Sequence, residues 1–238
     1  MSQQQLGRSG RPRPMQDWLQ PHLETTGNRG VRALIPQIGL IAGALLLYYV
    51  VRAFSKGSEV TAVANANELL ALERAFGIDW ELGAQSLILD RPAWVSFFNW
   101  IYVWTYWPLL LGALVFFWVA HREDFTILRD ALVVSGAVGL VVFAVYPVAP
   151  PRFLDGFTDT VAQASREHFI AHPSGFINEY AALPSFHLGW HALAAFMLAR
   201  YLPARWRFVA AVPPALMAAA IVFTANHYVI DGIAGVGL

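Results

Sequence analysis

Long apolar segments recur along this chain, and their length restricts the folds that the chain can adopt. A helix that crosses a bilayer needs about 20 mostly apolar residues. Five segments meet that requirement, namely residues 33–54, 93–120, 130–146, 183–201 and 207–225. A sixth begins at Tyr228 but stops at Leu238, and so short a helix, rising about 1.5 Å per residue, cannot cross a core about 30 Å thick. We expect either a short last helix or a sequence cut before its natural end.

Composition agrees with a membrane protein. The chain is 57% hydrophobic and 13% charged, whereas soluble domains carry roughly 25% charged residues. We therefore predict an all-α integral membrane protein, with a bundle of six transmembrane helices over residues 31–238 and a polar, disordered tail at residues 1–30. The net charge of zero argues against nucleic acid as a partner, and the absence of cysteine excludes a cysteine nucleophile.

The distribution of positive charge predicts the orientation, because short cytoplasmic loops carry an excess of Lys and Arg. With the N-terminus inside, most of the 16 positive residues are cytoplasmic, although the outer segments are longer. We therefore expect a cytoplasmic tail and a multi-pass protein of the plasma membrane. The chain has one lysine, Lys56, and its other positive residues are arginines, which is typical of a GC-rich bacterial genome.

The segment between the first two spans, residues 55–92, mixes apolar and charged residues. Its apolar members alternate with charged ones: Leu69, Leu70, Leu72, Phe76 and Ile78 against Glu68, Glu73, Arg74 and Asp79. This pattern indicates an amphipathic helix, lying either on the outer interface or against the bundle. Tryptophans open the second span, and Trp at a membrane boundary is usually an anchor or a packing residue.

Ionisable residues at membrane depth are costly, and three clusters of them fall on the outer side. The first is Leu-Pro-Ser-Phe-His at residues 183–187, where the fourth span begins. Pro184 fits the first turn of a helix, whose free backbone N–H groups favour an anion, and Ser185 adds a hydroxyl donor. His187, when protonated, could donate to a leaving oxygen. The alternative is a helix cap followed by an ordinary interior histidine.

The second cluster contains His227 and Asp231, which are four residues apart and share a face if the segment is helical. A carboxylate on one ring nitrogen fixes the tautomer and raises the basicity of the other nitrogen. A nucleophilic histidine needs this arrangement. The alternative is a buried structural ion pair, whose desolvation is unfavourable.

The third cluster is Pro-Pro-Arg at residues 150–152, in the long outer loop 147–182. Arginine binds phosphate in a bidentate manner, and the two prolines would stiffen the loop that presents Arg152. The alternative is an arginine whose charge reaches the lipid headgroups.

Two other chemistries remain open for these residues. His187 and His191 are four apart, and with His227 and Asp231 they could form the zinc site of a metal-dependent membrane hydrolase. However, Leu188 stands where a zinc protease of this spacing carries Glu.

Buried His and Asp could also relay protons in a transporter, which predicts matching broken helices in two halves of the chain. We find no such matching halves in the sequence.

The two histidine motifs resemble a known family. Pro-Ser-Phe-His at residues 184–187, followed by His-Tyr-x-x-Asp at residues 227–231, resembles the type 2 phosphatidic acid phosphatase superfamily. Phe186 replaces the usual Gly, and Ala220 and Ile221 occupy the places of the family's Ser-Arg pair. With these departures, the motif pattern of the chain is similar to that of the branch that contains fungal inositol phosphorylceramide synthase and, more distantly, sphingomyelin synthase.

The resemblance, which covers residues 31–238, implies a role for the matching residues. His227 attacks phosphorus and becomes a phosphohistidine, while Asp231 orients it. His187 protonates the departing group and later activates the acceptor. The resemblance implies no metal and no other cofactor.

The resemblance also implies that Pro184 and Ser185 hold phosphate oxygens at the helix N-terminus. The family's signature arginines have no match in this chain, so we assign their role to Arg152 on chemical grounds, with Arg166 as a weaker candidate. The predicted protein is a membrane enzyme that transfers the phosphoryl or head-group phosphate of a lipid to water or to an alcohol such as a polyol. It is accordingly a lipid phosphatase or a phosphotransferase, and both share the phosphoenzyme step.

Overall fold

The structure is a computed structural model that describes residues 35–40, 42–44, 46–47, 59–163 and 179–238. These residues are mostly helical and contain no β-strand beyond a lone parallel bridge between Val148 and Ala181. The α-helices, numbered in chain order, are α1 Glu59–Phe76, α2 Glu81–Leu89, α3 Pro92–Trp104, α4 Tyr106–Ala120, α5 Arg122–Val145, α6 Phe186–Ala199, α7 Val212–Phe223 and α8 Val229–Gly237. Short 3-10 helices lie at Pro151–Phe153 and Ala204–Ala211. The prediction of an all-α protein is confirmed for this part of the chain.

Three helical segments are long and apolar enough to cross a membrane: Pro92–Ala120, Arg122–Val145 and Ala204–Phe223. The first combines α3 and α4, the second is α5, and the third combines a 3-10 helix with α7. The apolar helix α6 has 14 residues, which at about 1.5 Å per residue is about 21 Å and shorter than the core of a bilayer. The prediction of a membrane protein is confirmed, whereas the count of six spans stays a prediction.

One predicted span is shorter than its helix in the structure, and another is only partly described. The predicted span 130–146 is the apolar part of α5, which begins at Arg122 because Glu123 and Asp124 suit the first turn of a helix. Half of the predicted span 33–54 and the whole tail 1–30 lie outside the described residues, although Ile35–Ala44 is an apolar helix.

The surface of α3 and α4 is apolar and exposed on the side away from the bundle. Its tryptophans, Trp94, Trp100, Trp104 and Trp107, have between 50% and 56% of their surface exposed. Such a surface is unfavourable in water but suits contact with lipid. These tryptophans therefore lie on the outside of the protein and are not stacked inside the candidate site.

Helix α1, which the alternating pattern predicts, packs one face against the rest of the protein. That face consists of Ala62, Ala66, Leu69, Leu70 and Glu73, a spacing of three and four residues that places them on one side of a helix. Apolar members of this face form a core with Val148, Ala149 and Tyr228, so α1 contacts both the loop before α6 and the start of α8. The interpretation as a helix packed on the bundle is thus correct for this face.

Glycines allow α6 and α8 to approach each other at backbone distance. A Cβ atom on Gly189 of α6 would overlap the carbonyl of Gly235 in α8, and a Cβ on Gly235 would overlap the carbonyl of Ser185. The backbone N–H of Ser185 also donates to the carbonyl of Asp231 at 2.9 Å. Small residues permit close helix contacts of this kind in membrane proteins. The segment that carries His187 is therefore fixed against the helix that carries Asp231.

Phe186, which stands where the family pattern has Gly, packs its ring against α5. A Cβ on Gly139 of α5 would overlap the ring of Phe186, so the bulky ring occupies the space that this glycine leaves. The ring also stacks on Trp190, with centroids 4.7 Å apart, and meets Phe143 edge to face. Phe186 thus joins α5 to α6 at the start of the helix that carries His187.

Candidate active site

His187 lies in the first turn of α6, and aromatic rings position it. Ser185 is the N-cap residue of α6, and its side-chain oxygen accepts the N–H of Leu188 at 3.5 Å. The imidazole of His187 stacks on the ring of Tyr102, with centroids 4.3 Å apart, and lies 4.6 Å from the ring of Tyr106. Both tyrosines belong to the broken span made of α3 and α4. Tyrosine is common near a membrane boundary, so neither residue could be predicted as part of the site from its position in the sequence.

His227 follows a tight turn at the end of α7. Thr224 donates its hydroxyl to the carbonyl of Ala220, and Asn226 donates its side-chain N–H to the hydroxyl oxygen of Thr224; both bonds are 2.6 Å long. Ala225 has a φ of 53°, a left-handed conformation that is unfavourable for a residue other than glycine. The turn directs His227 toward His187, and the two imidazole centroids are 5.8 Å apart.

The hydrogen bonds of His227 determine its tautomer. Its Nδ1 lies 2.8 Å from the carbonyl oxygen of Ala182 and 3.4 Å from Oδ2 of Asp231. Both neighbours are acceptors, so Nδ1 carries the hydrogen, and Nε2 of the neutral ring has a free lone pair. The shorter bond is to the main chain, which means that Ala182 contributes at least as much to the orientation of the ring as Asp231.

The expected pairing of His227 with Asp231 is present, but its geometry differs from the expectation. His227 precedes α8, which begins at Val229, so the two residues do not share a helical face. Instead, Asp231 reaches back from the first turn, and its Oδ2 accepts the N–H of Tyr228 at 3.0 Å. Asp231 therefore caps α8 and contacts the histidine with the same oxygen.

Two glutamates that the sequence analysis did not select also bind the start of α8. Oε1 of Glu81 accepts the N–H of Val229, and Oε1 of Glu73 accepts the N–H of Ile230, both at 2.8 Å. Glu81 and Val229 are 148 positions apart in the sequence, and Glu73 and Ile230 are 157 apart. The available signal was that Glu73 has the helical spacing of the apolar residues on the buried face of α1.

Arg152 lies beside the turn that carries His227. Its backbone N–H donates to the carbonyl of Ala225 at 2.9 Å, and its guanidinium donates to the side-chain oxygen of Asn226. Its Nε is 3.3 Å from Oδ2 of Asp159, and the guanidinium also hydrogen bonds with Tyr102. A guanidinium has five N–H donors, so Arg152 keeps donors for an anion after these contacts.

Three further residues were predicted to bind phosphate, namely Pro184, Ser185 and Arg166. Pro184 and Ser185 lie at the start of α6, but the backbone N–H of Ser185 is already bonded to Asp231. Ser185 can therefore offer phosphate only its hydroxyl hydrogen, while its backbone N–H holds α8. Arg166 lies outside the described residues.

The four-residue zinc grouping does not form in the described part of the chain. His191 is buried, and its Nε2 is 3.4 Å from the hydroxyl of Thr105, a long contact. Its ring stacks on Tyr106, with centroids 5.8 Å apart. Among residues 59–163 and 179–238, no three His, Asp or Glu side chains are arranged to ligate one ion. His191 therefore packs behind the pair formed by His187 and His227.

Two histidines face each other beside an arginine in this helical protein, and side chains of these types suit chemistry on phosphate esters. The comparison with known families agrees: the model described as the PAP2 superfamily matches residues 67–238, more than two thirds of the chain. The chain belongs to the PAP2 superfamily, whose members are phosphatases or phosphotransferases. No curated protein and no solved structure matches the chain.

Proposed function

We propose that this enzyme transfers the phosphoryl group or head-group phosphate of a membrane lipid, through a phosphohistidine at His227, to water or an alcohol. The observation that carries the proposal is the pair of imidazoles, 5.8 Å apart between centroids, with Nδ1 of His227 held by two acceptors. One nitrogen of His227 is thus free to attack, and a second histidine lies where a leaving oxygen would need a proton.

The first step forms one bond and breaks one. The lone pair on Nε2 of His227 attacks phosphorus, and the bond from phosphorus to the ester oxygen breaks. The departing oxygen takes a proton from the imidazolium of His187. The ring of His227 becomes positively charged, and the acceptors Ala182 and Asp231 at Nδ1 stabilise that charge.

The second step regenerates the enzyme. The neutral ring of His187 takes a proton from water or from an alcohol, whose oxygen attacks phosphorus as the bond to Nε2 breaks. Arg152 donates to the phosphate oxygens in both steps, and the hydroxyl of Ser185 at the start of α6 assists. No metal takes part in this scheme.

The setting of the site supports a lipid substrate. The site residues lie on α6 and on the turn before α8, next to the apolar span α3–α4, whose outer face suits contact with lipid. A lipid with a phosphorylated head group can enter this site sideways from the membrane. Since the motif pattern resembles the inositol phosphorylceramide synthase branch, a polyol is the alcohol that we expect as acceptor when water is not used.

The test uses purified full-length protein with phosphatidic acid and prenyl phosphates, with and without inositol as acceptor. His227→Ala should lower kcat by about 10³-fold or more, as for other nucleophiles of covalent catalysis. His121→Ala is the matched control, because His121 lies at the junction of α4 and α5, where its ring packs on Tyr201 and Phe116. Mass spectrometry of enzyme quenched during turnover should show phosphate on residue 227. Full activity of His227→Ala would overturn the proposal.

We also propose six spans in the plasma membrane, with a cytoplasmic N-terminus and the site on the extracytoplasmic side. The excess of arginine in the predicted inner segments supports this orientation. Because the chain contains no cysteine, a single introduced cysteine reports its own location. Ser86→Cys on the exposed side of α2 should react with an impermeant maleimide in intact cells, whereas Ala204→Cys should react only after permeabilisation. The reverse pattern would reverse the assigned orientation.

A further inference from the structure

Two buried carboxylic acids, both outside the three candidate membrane spans, contact the first turn of α8. Glu73 and Glu81 come from α1 and α2, and both have no exposed surface. One oxygen of each accepts a backbone N–H of α8. The other oxygen of each has no N–H or O–H donor elsewhere in the described structure, although the two side chains lie within hydrogen-bonding reach of each other.

These two acids can satisfy each other only if they hold a proton. Two ionised carboxylates would repel, and both remaining oxygens would be buried without a donor. A single shared proton removes both problems, because the O–H of one acid donates to the free oxygen of the other. The pair then carries one negative charge at the positive end of a helix, which is favourable.

The electrostatics of the surroundings favour this protonated pair. Burial is the main cause that raises the pKa of Glu73 from its usual 4.5 to about 8, against the lowering effect of the hydrogen bond from Ile230. Burial also raises the pKa of Glu81. The charged group that faces both acids from α8 is Asp231, whose negative charge raises both pKa values further.

The pair holds the segment that carries the proposed nucleophile. The N–H groups of Tyr228, Val229 and Ile230 are bonded to carboxyl oxygens of Asp231, Glu81 and Glu73. His227 directly precedes these residues, and its ring contacts Asp231. A shift of the first turn of α8 would therefore move both His227 and the group that orients it.

We propose that Glu73 and Glu81 form a proton-sharing pair that positions His227 and Asp231, and that loss of the shared proton displaces the first turn of α8. The positioning role rests on the proposed function of His227, whereas the shared proton does not. Neither glutamate touches the substrate in this scheme, since both bind backbone N–H groups of α8.

The experiment compares Glu73→Gln with Glu73→Leu in the purified full-length protein. The amide of Gln can accept the N–H of Ile230 and donate to Glu81, so it keeps the geometry but cannot lose a proton. Leu fills a similar volume but offers no acceptor. Near pH 6.5, we expect kcat and KM of Glu73→Gln within about twofold of wild type. Glu73→Leu should lose about 10-fold or more in kcat with little change in KM, as expected for a misplaced catalytic group.

The pH profile of thermal unfolding tests the shared proton without any activity. The folded pKa of Glu73 is raised above its usual 4.5, so its stabilising contribution is fully present below about pH 4.5 and is lost as the pH rises through about 8. The Tm of the wild type should therefore fall between about pH 5 and pH 8 more steeply than the Tm of Glu73→Gln. Glu68→Gln, an exposed site on the same helix, is the control and should follow the wild type.

The outcomes separate the two proposals. If His227→Ala is active while the Tm profiles differ as expected, the phosphohistidine proposal fails and the proton-sharing pair stands. If Glu73→Leu keeps the wild-type kcat, or if the Tm profiles of wild type and Glu73→Gln coincide, the pair proposal is wrong. Failure of both Glu73→Gln and Glu81→Gln to fold would also contradict it, since an amide can make the same hydrogen bonds.

Discussion

The backbone N–H of Ser185 donates a 2.9 Å hydrogen bond to the carbonyl oxygen of Asp231. This bond joins the N-cap of the helix that carries His187 to the first turn of the helix that follows His227. The distance between the two histidines is therefore controlled by main-chain contacts between α6 and α8, and the close approach at Gly189 and Gly235 extends the same contact.

Substitution of Gly189 by Ala should separate the two histidines. Its Cβ would overlap the carbonyl of Gly235, a backbone atom that cannot move alone. We expect a lower Tm and a fall in kcat of about 10²-fold, because a displacement near 1 Å is enough for such a loss. Gly112→Ala in α4 is the control, since a Cβ there meets nothing within 4 Å, and Ala should stabilise that helix by up to about 1 kcal/mol. Equal Tm and kcat for Gly189→Ala and Gly112→Ala would contradict the close contact.

Asp231→Asn should be less harmful than loss of the nucleophile. The carbonyl of Ala182 still holds Nδ1–H of His227, so the tautomer stays correct and only the charge of the carboxylate is lost. We expect kcat to fall about 10- to 100-fold, against about 10³-fold or more for His227→Ala. Phosphate should still be found on residue 227 in quenched Asp231→Asn. A loss as large as that of His227→Ala would show that the carboxylate, and not the main chain, sets the tautomer.

Arg152→Lys should not restore the function of Arg152. The guanidinium reaches Asn226 and Asp159 at once and keeps further donors for phosphate, whereas an ammonium is a point charge with three donors. We expect both Arg152→Lys and Arg152→Gln to lose about 10²-fold in kcat/KM. Arg91→Lys, on the loop before α3, is the control and should retain wild-type kinetics. Wild-type kinetics for Arg152→Lys would mean that a positive charge suffices at this position.

Chelators should leave the enzyme active. The proposed steps use protein groups alone, namely the main chain and the side chains of His227, His187, Arg152, Asp231 and Ser185. His191 contacts the hydroxyl of Thr105. We expect the rate on phosphatidic acid to be unchanged after dialysis against EDTA. Loss of activity with EDTA and its return with zinc would favour the metal-dependent hydrolase over the phosphohistidine scheme.

The candidate site residues that belong to short sequence motifs could be predicted from the sequence alone. The spacing of His227 and Asp231, and the motif around His187, identified three side chains that the structure brings together. The Pro-Pro-Arg loop identified Arg152, which lies against the turn that carries His227. Each of these predictions relied on residues that are adjacent or a few positions apart.

The rest of the site depends on contacts that leave no local pattern. The acceptor for Nδ1 of His227 is a main-chain carbonyl 45 positions away, and any residue could supply it. Glu73 and Glu81 contact α8 across 157 and 148 sequence positions, and no short motif links them to that helix. The close packing at Gly189 depends on a second glycine in another helix.

The hydrogen bonds from the first turn of α8 to Glu73 and Glu81 also affect the order in which the chain folds during synthesis. A ribosome synthesises α1 and α2 long before it reaches residues 229 and 230, and chains generally acquire structure in the order of synthesis. The acids of α1 and α2 therefore stay without these backbone partners until the first turn of α8 has been synthesised. The proposed position of His227 is accordingly reached late in synthesis, when a helix made late meets two helices made early.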